Sequence, residues 1–399
     1  MQSFMSVPLK HAIAVSAIVA IAATVASLAG CAAAPGAATA ATAAKAAAWP
    51  PIPAIAAHRG ASAFRPEHTL ASYQKAIDDG ADIIEPDLVA TRDGVLIARH
   101  ENEISGTTDV ADHKEFIARK VTKTIDGVPL TGWFTEDFTL AEIKTLRARE
   151  RIPANRPANV AYNDRFEIPT FQEVIDLAKR QTVTTGRVIG VYPETKHPTY
   201  FQSIQLPLER RLVDQLEANG YRDRSAPVLI QSFEVANLKA LRKMTGIRLV
   251  QLIDNPKNPP AANGAPRNQP YDFTVSGDKR TYADLTTAAG LLEIATYADI
   301  VCPYKEVIIP RTAANELGAP TAFVRDAHQA RLLVHLFTMR PENPFLPVSM
   351  RRGNVASPSE RGDFQAELAA YLDAGIDGFF TDDSAEGRTA INAFLARKK

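Results

Sequence analysis

From residue 54 onward the chain alternates between short, apolar, β-rich runs and longer stretches whose apolar positions recur with helical spacing. The runs fall at 54–58, 82–89, 187–193, 227–231, 247–253, 298–302, 331–337 and 376–381. Eight runs with helices between most of them predict a (β/α)8 TIM barrel, an α/β fold. Local causes support the helices. Leu70, Tyr73 and Ile77 share one face, and Thr170 with Glu173 forms a capping box ahead of Phe171, Val174, Ile175 and Ala178. Leu208, Leu212 and Leu216 repeat the spacing with Gly220 as the stop, and Val235, Leu238 and Leu241 line another face before Gly246.

Two stretches break the alternation. Residues 102–166 fall between the second and third strand-helix units and carry their own capping box, Thr139 with Glu142, which predicts a small insertion with a short helix. Residues 254–282, crowded with Pro and Asn, predict a long loop. Both belong at the catalytic mouth, where inserted loops shape access without disturbing the barrel. Asp93-Gly94 predicts a two-residue hairpin turn between 81–91 and 95–100. That turn pairs Asp87 with His100, and a four-residue turn pairs Glu85 with His100. Either register puts the imidazole on the carboxylate face, whereas a three-residue turn does not.

Residues 1–30 stand apart from this pattern. Lys10 and His11 precede the alanine-rich run 12–26, and Leu28-Ala29-Gly30-Cys31 follows, which is the order of an export signal. The terminal Cys resembles that of bacterial lipoprotein signals, in which it is acylated. The expectation is therefore a lipidated Cys31 and an exported, periplasmic protein held by its lipid at the outer membrane, since Ala32 is not the Asp that often retains lipoproteins at the inner one. The apolar run is shorter than the ~20 residues of a bilayer span. Residues 31–53, rich in Ala, Pro and Thr, read as a tether to a domain at 54–399. Cys302 is the only other cysteine, so no disulfide framework is expected.

Composition narrows the partners. Across 399 residues Lys+Arg 45 balances Asp+Glu 45, and losing Lys10 with the leader leaves one more acid than base. No broad basic field draws nucleic acid, and a small-molecule substrate is the default.

Charged and imidazole side chains concentrate where the predicted strands stop: His58-Arg59-Gly60, Glu85-Pro86-Asp87 and Glu194. Glu85 and Asp87 are two apart and share a face, and Pro86 between them cannot donate to a ladder. Such paired carboxylates need a shared proton, a basic partner or a divalent cation. Glu194 offers a third oxygen ligand, and an all-oxygen set favours Ca2+ or Mg2+ over zinc. Ion pairs with Arg59 and Lys196 satisfy the same spacing, so both readings stand. His58 and His100 beside Arg59 and Lys196 suit phosphate chemistry: one imidazole protonates a leaving alkoxide, the other deprotonates a nucleophile, and the cations hold non-bridging oxygens. A His ending an apolar run also fits a hydrogen-bonded core residue. His113, His197, His328 and His335 carry weaker arguments.

His58-Arg59-Gly60-Ala61-Ser62, Pro66-Glu67-His68-Thr69, Glu85-Pro86-Asp87-Leu88, Tyr192-Pro193-Glu194-Thr195-Lys196, Gln231-Ser232-Phe233 and Thr381-Asp382 follow one another in an order that resembles glycerophosphodiester phosphodiesterases, most of all their exported bacterial branch. The resemblance runs from about residue 54 to the C-terminus. It implies a TIM barrel and hydrolysis of glycerophosphodiesters to sn-glycerol 3-phosphate and an alcohol, with one divalent cation, Ca2+ rather than Mg2+. It also implies Glu85, Asp87 and Glu194 as metal ligands and His58 and His100 as the acid/base pair. Arg59 and Lys196 would bind phosphate, Glu67 would support the site, and Gln231 and Phe233 would touch substrate. Thr381 and Asp382 are expected only to close the eighth strand. Two departures stand out: Glu101 follows His100 where many relatives have Asp, and Thr195 stands where Ile or Leu is common. The rival functions are phospholipase D-like cleavage of intact or lyso lipids on the same barrel, a glycosidase, and a surface-anchored binding lipoprotein without catalysis.

Overall fold

The computed structural model describes residues 49–398; the expected leader, Cys31 with its expected lipidation and residues 32–48 of the expected tether lie outside the described residues. Its strands are β1 (Ala54–His58), β2 (Ile83–Glu85), β3 (Asp87–Ala90), β4 (Leu96–Ala98), the hairpin β5 (Val121–Ile125) and β6 (Val128–Gly132), β7 (Gly190–Val191), β8 (Glu194–Thr195), β9 (Leu229–Ser232), β10 (Arg248–Ile253), β11 (Ile300–Pro303), β12 (Leu333–Met339) and β13 (Gly378–Thr381). Pro86 splits the second barrel position into β2 and β3, and Pro193 splits the third into β7 and β8, because neither ring nitrogen can donate to a ladder. With each split pair taken as one position, eight parallel positions follow one another around a ring. β13 closes it by pairing with β1, Ala54 opposite Gly378 and Ala57 opposite Thr381. All eight runs read from the sequence are the eight positions of this barrel.

Away from their carboxyl ends the strands are largely apolar because each faces two cores. Ala54, Ala56, Ile83, Tyr192, Leu229, Val250, Ile300 and Phe380 fill the barrel interior, while Ile55, Ala57, Ile84 and Ile230 pack outward against the helices. Small residues on β1 leave room for the rings of Tyr192 and Phe380, whose centroids lie 4.8 Å apart. The helix Leu70–Asp78 buries Tyr73, Ala76 and Ile77, and Leu208–Ala218 buries Leu208, Leu212, Val213 and Leu216. Both predicted capping boxes form, on Leu140–Ile143 and on Phe171–Thr185. Each cap contributes about 1 kcal/mol.

Four local expectations change. The turn at Asp93-Gly94 has three residues, with Ala90 opposite Leu96 and Leu88 opposite Ala98. Gly94 alone takes positive φ (79°), whereas a two-residue turn of this kind needs it at both central positions. Asp93 instead accepts hydrogen bonds from Thr91 Oγ1 at 2.6 Å and from the backbone of Leu140 at 3.0 Å. Asp87 therefore faces Arg99, whose backbone N–H donates to it at 2.9 Å, and the predicted pairing with His100 does not form. Residues 254–282 are not all loop: Pro270 precedes a helix, Tyr271–Ser276, that ends at Gly277 with φ 77°. The insertion holds the β5–β6 hairpin as well as its short helix, and packs through Phe116, Trp133, Phe134 and Phe138. Residues 49–53, read as the end of the tether, belong to the packed unit: the Trp49 ring lies under the Arg248 guanidinium and closes over Gly190, where a Cβ would come within 2.5 Å of it. No helix among the described residues is long and apolar enough to cross a membrane.

Candidate active site

A cavity of about 350 Å³ opens at the carboxyl ends of the barrel strands and is lined by His58, Arg59, Glu85, Asp87, His100, Glu194, Lys196, Gln231 and Phe233, among others. Every site residue read from the sequence is there except Glu67, which lines the adjoining cavity, and Cys31, outside the described residues. The chain reverses sharply where β1 ends. Arg59 sits at φ 60° and Gly60 at φ 89°, and a Cβ on Gly60 would come within 2.4 Å of Ser72 Oγ, so glycine is required. The strain at Arg59, roughly 1–2 kcal/mol, is offset where its N–H donates to Glu85 Oε2 at 2.7 Å.

Parallel pairing sets Glu85 beside His58 and Asp87 beside Glu194. One oxygen from each of Glu85, Asp87 and Glu194 lies within 4.8 Å of the others, and all three are buried. At an effective dielectric constant of about 20, each like-charged pair at such range repels by roughly 3–4 kcal/mol. Ion pairs relieve part of this. Lys196 Nζ reaches Glu194 at 2.9 Å and Arg59 Nε lies 3.7 Å from Asp87. Glu85 has no cationic side-chain partner; it accepts from the Arg59 backbone and from Gln231 Nε2 at 3.1 Å. Burial, then Asp87 and Glu194, push its carboxyl well above the usual range, and burial pushes Glu194 up to about 8. Burial acts upward on Asp87 too, but Lys196, His100 and His68 hold it well below. Asp87 Oδ1 is buried without a hydrogen-bond partner. Three oxygen donors, surplus negative charge and an unpartnered carboxylate oxygen fit a hard divalent cation better than ion pairing alone.

The two histidines present the same face to this cluster. Asp382 Oδ1 holds His58 Nδ1 at 2.6 Å, and Glu101 holds His100 Nδ1. Each Nε2 is thereby turned toward the cations: His58 Nε2 lies 3.3 Å from Arg59 Nε and His100 Nε2 3.4 Å from Lys196 Nζ. Burial, then Arg59, lowers the His58 pKa to about 4, and burial, Arg59 and Lys196 lower that of His100 to about 3. Both are neutral bases at pH 7. His100 reaches the site although the hairpin register differs from expectation, because it lies just beyond the ladder, where strand alternation no longer fixes side-chain direction.

Glu67 accepts from Arg59 Nη1 at 3.1 Å and so braces the guanidinium. Gln231, expected to touch substrate, lines the cavity with its amide committed to Glu85. Phe233 sits edge-on to Phe337 and 5.7 Å below Lys196 Nζ. Asp382, expected only to close the last strand, is the His58 partner, whereas Thr381 does cap locally, accepting from the Asp383 N–H at 3.1 Å. His68 received no role from sequence. Fully buried, it bridges Asp87 Oδ2 at 2.9 Å and Tyr73 Oη at 2.8 Å, an arrangement that fixes the orientation of the Asp87 carboxylate. Its signal was its place in Pro66-Glu67-His68-Thr69. Arg151 and Arg156 gave none, since they lie in the insertion away from every motif. His113, His197, His328 and His335 pair elsewhere, with Glu115, Asp126, Asp377 and Tyr192.

Comparison with known proteins agrees with this geometry. Residues 58–386 match the model of the glycerophosphoryl diester phosphodiesterase family. The chain is 36% identical over 339 residues to glycerophosphodiester phosphodiesterase GDPD6 of Arabidopsis thaliana, covering 82% of each chain. It is 28% identical over 344 residues to a glycerophosphodiester phosphodiesterase of Haemophilus influenzae, covering 82% of this chain and 86% of the relative. Its fold is similar to that of an Oleispira antarctica phosphodiesterase solved with the product sn-glycerol-3-phosphate, at a TM-score of 0.52 and 17% identity over 86% of this chain and 97% of that one. With the match spanning the cavity residues from His58 through Asp382, the chain belongs to the glycerophosphoryl diester phosphodiesterase family.

Proposed function

We propose that this protein hydrolyses glycerophosphodiesters to sn-glycerol 3-phosphate and an alcohol, with one divalent cation held by Glu85, Asp87 and Glu194. One observation carries the reading: two carboxylate-held histidines and two cationic side chains face a three-carboxylate cluster in a single cavity. The names of the relatives support the substrate class. Protein oxygens crowded around one point suit Ca2+, which accepts many ligands in irregular geometry, better than Mg2+, which keeps several waters. When bound, the cation supplies charge neutralisation and lowers the pKa of a hydroxyl beside it.

The chain's own groups do the rest. Arg59 and Lys196 bind the non-bridging phosphate oxygens and stabilise charge as it grows. A neutral His with Nδ1–H donated to its carboxylate offers the Nε2 lone pair as general base. The phosphodiester's negative charge raises the affinity of the other imidazole for the proton that it gives to the leaving alkoxide. The attacking oxygen is water or the neighbouring glycerol hydroxyl, the latter favoured by its high effective concentration. The exported, lipid-anchored placement is part of the same reading and rests on Lys10, the run 12–26 and Cys31. Cys31→Ser should move the protein from the membrane to the soluble fraction.

The test is release of glycerol 3-phosphate from a panel of glycerophosphodiesters, with chelation and add-back of Ca2+ or Mg2+. Turnover that stops on chelation and returns with Ca2+ is expected. Turnover of intact or lyso lipids in preference to the deacylated diester would favour the phospholipase D-like function, and no turnover with any cation would remove the catalytic reading.

A further inference from the structure

Behind each histidine-holding carboxylate stands an arginine from one short stretch of the insertion. Arg156 Nη2 pairs with Asp382 Oδ2, the oxygen not used by His58. Its other nitrogens bind Glu342 at 2.7 Å and the Ser62 carbonyl at 2.9 Å. Arg151 binds both oxygens of Glu101, Nη1 to Oε1 at 3.0 Å and Nη2 to Oε2 at 2.6 Å. It also binds both oxygens of Glu67, at 2.8 and 2.7 Å, and Glu67 in turn braces Arg59. The stretch is tied down between them: Asn159 Nδ2 reaches Glu150 at 2.8 Å and the Ser62 carbonyl at 3.1 Å, and Asn155 Nδ2 reaches the Pro358 carbonyl at 3.1 Å. The stretch walls a second cavity of about 360 Å³ that shares both histidines with the first.

We infer that the insertion holds the two proton carriers in register, with Arg151 and Arg156 as positioning residues: Arg156 acts through Asp382 on His58, and Arg151 through Glu101 on His100. This rests on the acid/base reading of the two histidines. A carboxylate accepts from imidazole in a fixed direction only if its second oxygen is also fixed, and a planar guanidinium with several donors fixes it better than an ammonium. The barrel alone does not supply this for His100: among the described residues the Glu101 carboxylate bonds to His100 beside it and to Arg151 of the insertion. The two arms differ in reach. Arg156, sharing Asp382 Oδ2 with Arg340, acts on the His58 arm alone, whereas Arg151 also reaches the phosphate-binding Arg59 through Glu67.

The experiment pairs steady-state kinetics on glycerophosphocholine with 15N NMR of the histidine rings, on the metal-loaded enzyme. Arg156→Met should lower kcat about 10- to 100-fold, the usual cost of removing a group that orients a site residue, with KM nearly unchanged. Arg151→Met should lower kcat and raise KM. Arg156→Lys, which restores one charge without the fork, should recover part of the kcat loss. In the ring spectra Arg156→Met should disturb the Nδ1–H tautomer of His58 alone, and Arg151→Met that of His100 alone. Unchanged tautomers in both variants, or a kcat within twofold of the parent, would overturn the inference. If a methionine variant fails to fold, the lysine variants carry the same two readouts. A parent enzyme inactive on every phosphodiester would defeat the proposed function, while the tautomers would still decide the positioning roles.

Discussion

His58 and His100 reach one cavity by opposite routes. His58 ends a barrel strand and takes its carboxylate from the far end of the chain, Asp382, 324 positions away; the two side chains are 12% and 2% exposed. His100 stands on the segment leaving the hairpin and takes its own neighbour, Glu101, with 28% and 29% exposed. The first dyad is set by closure of the barrel, which brings Asp382 to His58 and leaves its second oxygen for Arg156. The second is set by sequence adjacency and needs the insertion to steady it. Equivalent chemistry can thus be assembled from long-range topology on one side and from a local pair with an added brace on the other.

The largest expected effect erases the contrast. Glu194→Gln, or chelation, should take activity to background, because both imidazoles face the same carboxylate cluster; a Glu194→Gln enzyme with near-normal turnover would mean that the cluster is structural. Next, His58→Ala and His100→Ala should each lower kcat by about 10²–10⁴-fold, the range for losing a general acid or base. A loss confined to one of them, read at several pH values, would show that the dyads are not partners in one reaction.

The two carboxylates then separate the arms. Asp382→Asn leaves Arg156 buried against a neutral amide, and breaking such a buried pair costs about 3–5 kcal/mol of unfolding free energy. Glu101→Gln, at a pair 28% and 29% exposed, should cost less, about 1 kcal/mol. Denaturant titration of both variants checks the ratio, and equal losses would contradict the contrast between a buried dyad and a more exposed one.

The last effect is in the pH dependence of stability. Folded His58 titrates near 4 against an ordinary 6.5, because burial and then Arg59 oppose its charge. Between those values the unfolded chain binds a proton that the folded one does not, so stability falls as pH falls through this window. From pH 7 to pH 5 the His58 share is about 2 kcal/mol. His58→Gln should therefore lose less Tm than the parent enzyme on acidification, and a parallel pair of profiles would contradict the buried, neutral imidazole.

The barrel was legible because each of its eight positions is a compact apolar run bounded by turn or cap residues, and because Pro86 and Pro193 announce where regular pairing stops. The carboxylate cluster was legible for the same reason: Glu85, Asp87 and Glu194 lie at strand ends, where geometry follows from strand order. The hairpin register was not, since a tertiary contact, Asp93 to the backbone of Leu140, decided the turn over its local preference. Asp382, Arg151 and Arg156 were hidden as partners because their bonds cross 324, 84 and 226 positions, and no spacing rule spans such distances. His68 was visible as a motif letter, but its bond to Asp87 depends on the positive φ, 53°, at which its backbone sits.

The seam between β1 and β13 has a temporal consequence. A ribosome delivers all three carboxylates and both imidazoles well before it delivers Asp382, the last contributor to the centre, directly after the strand that shuts the ring. An incomplete chain therefore holds nearly every reactive group while lacking the partner of His58. The order of synthesis acts as a timer, and hydrolytic competence arrives only with the final strand.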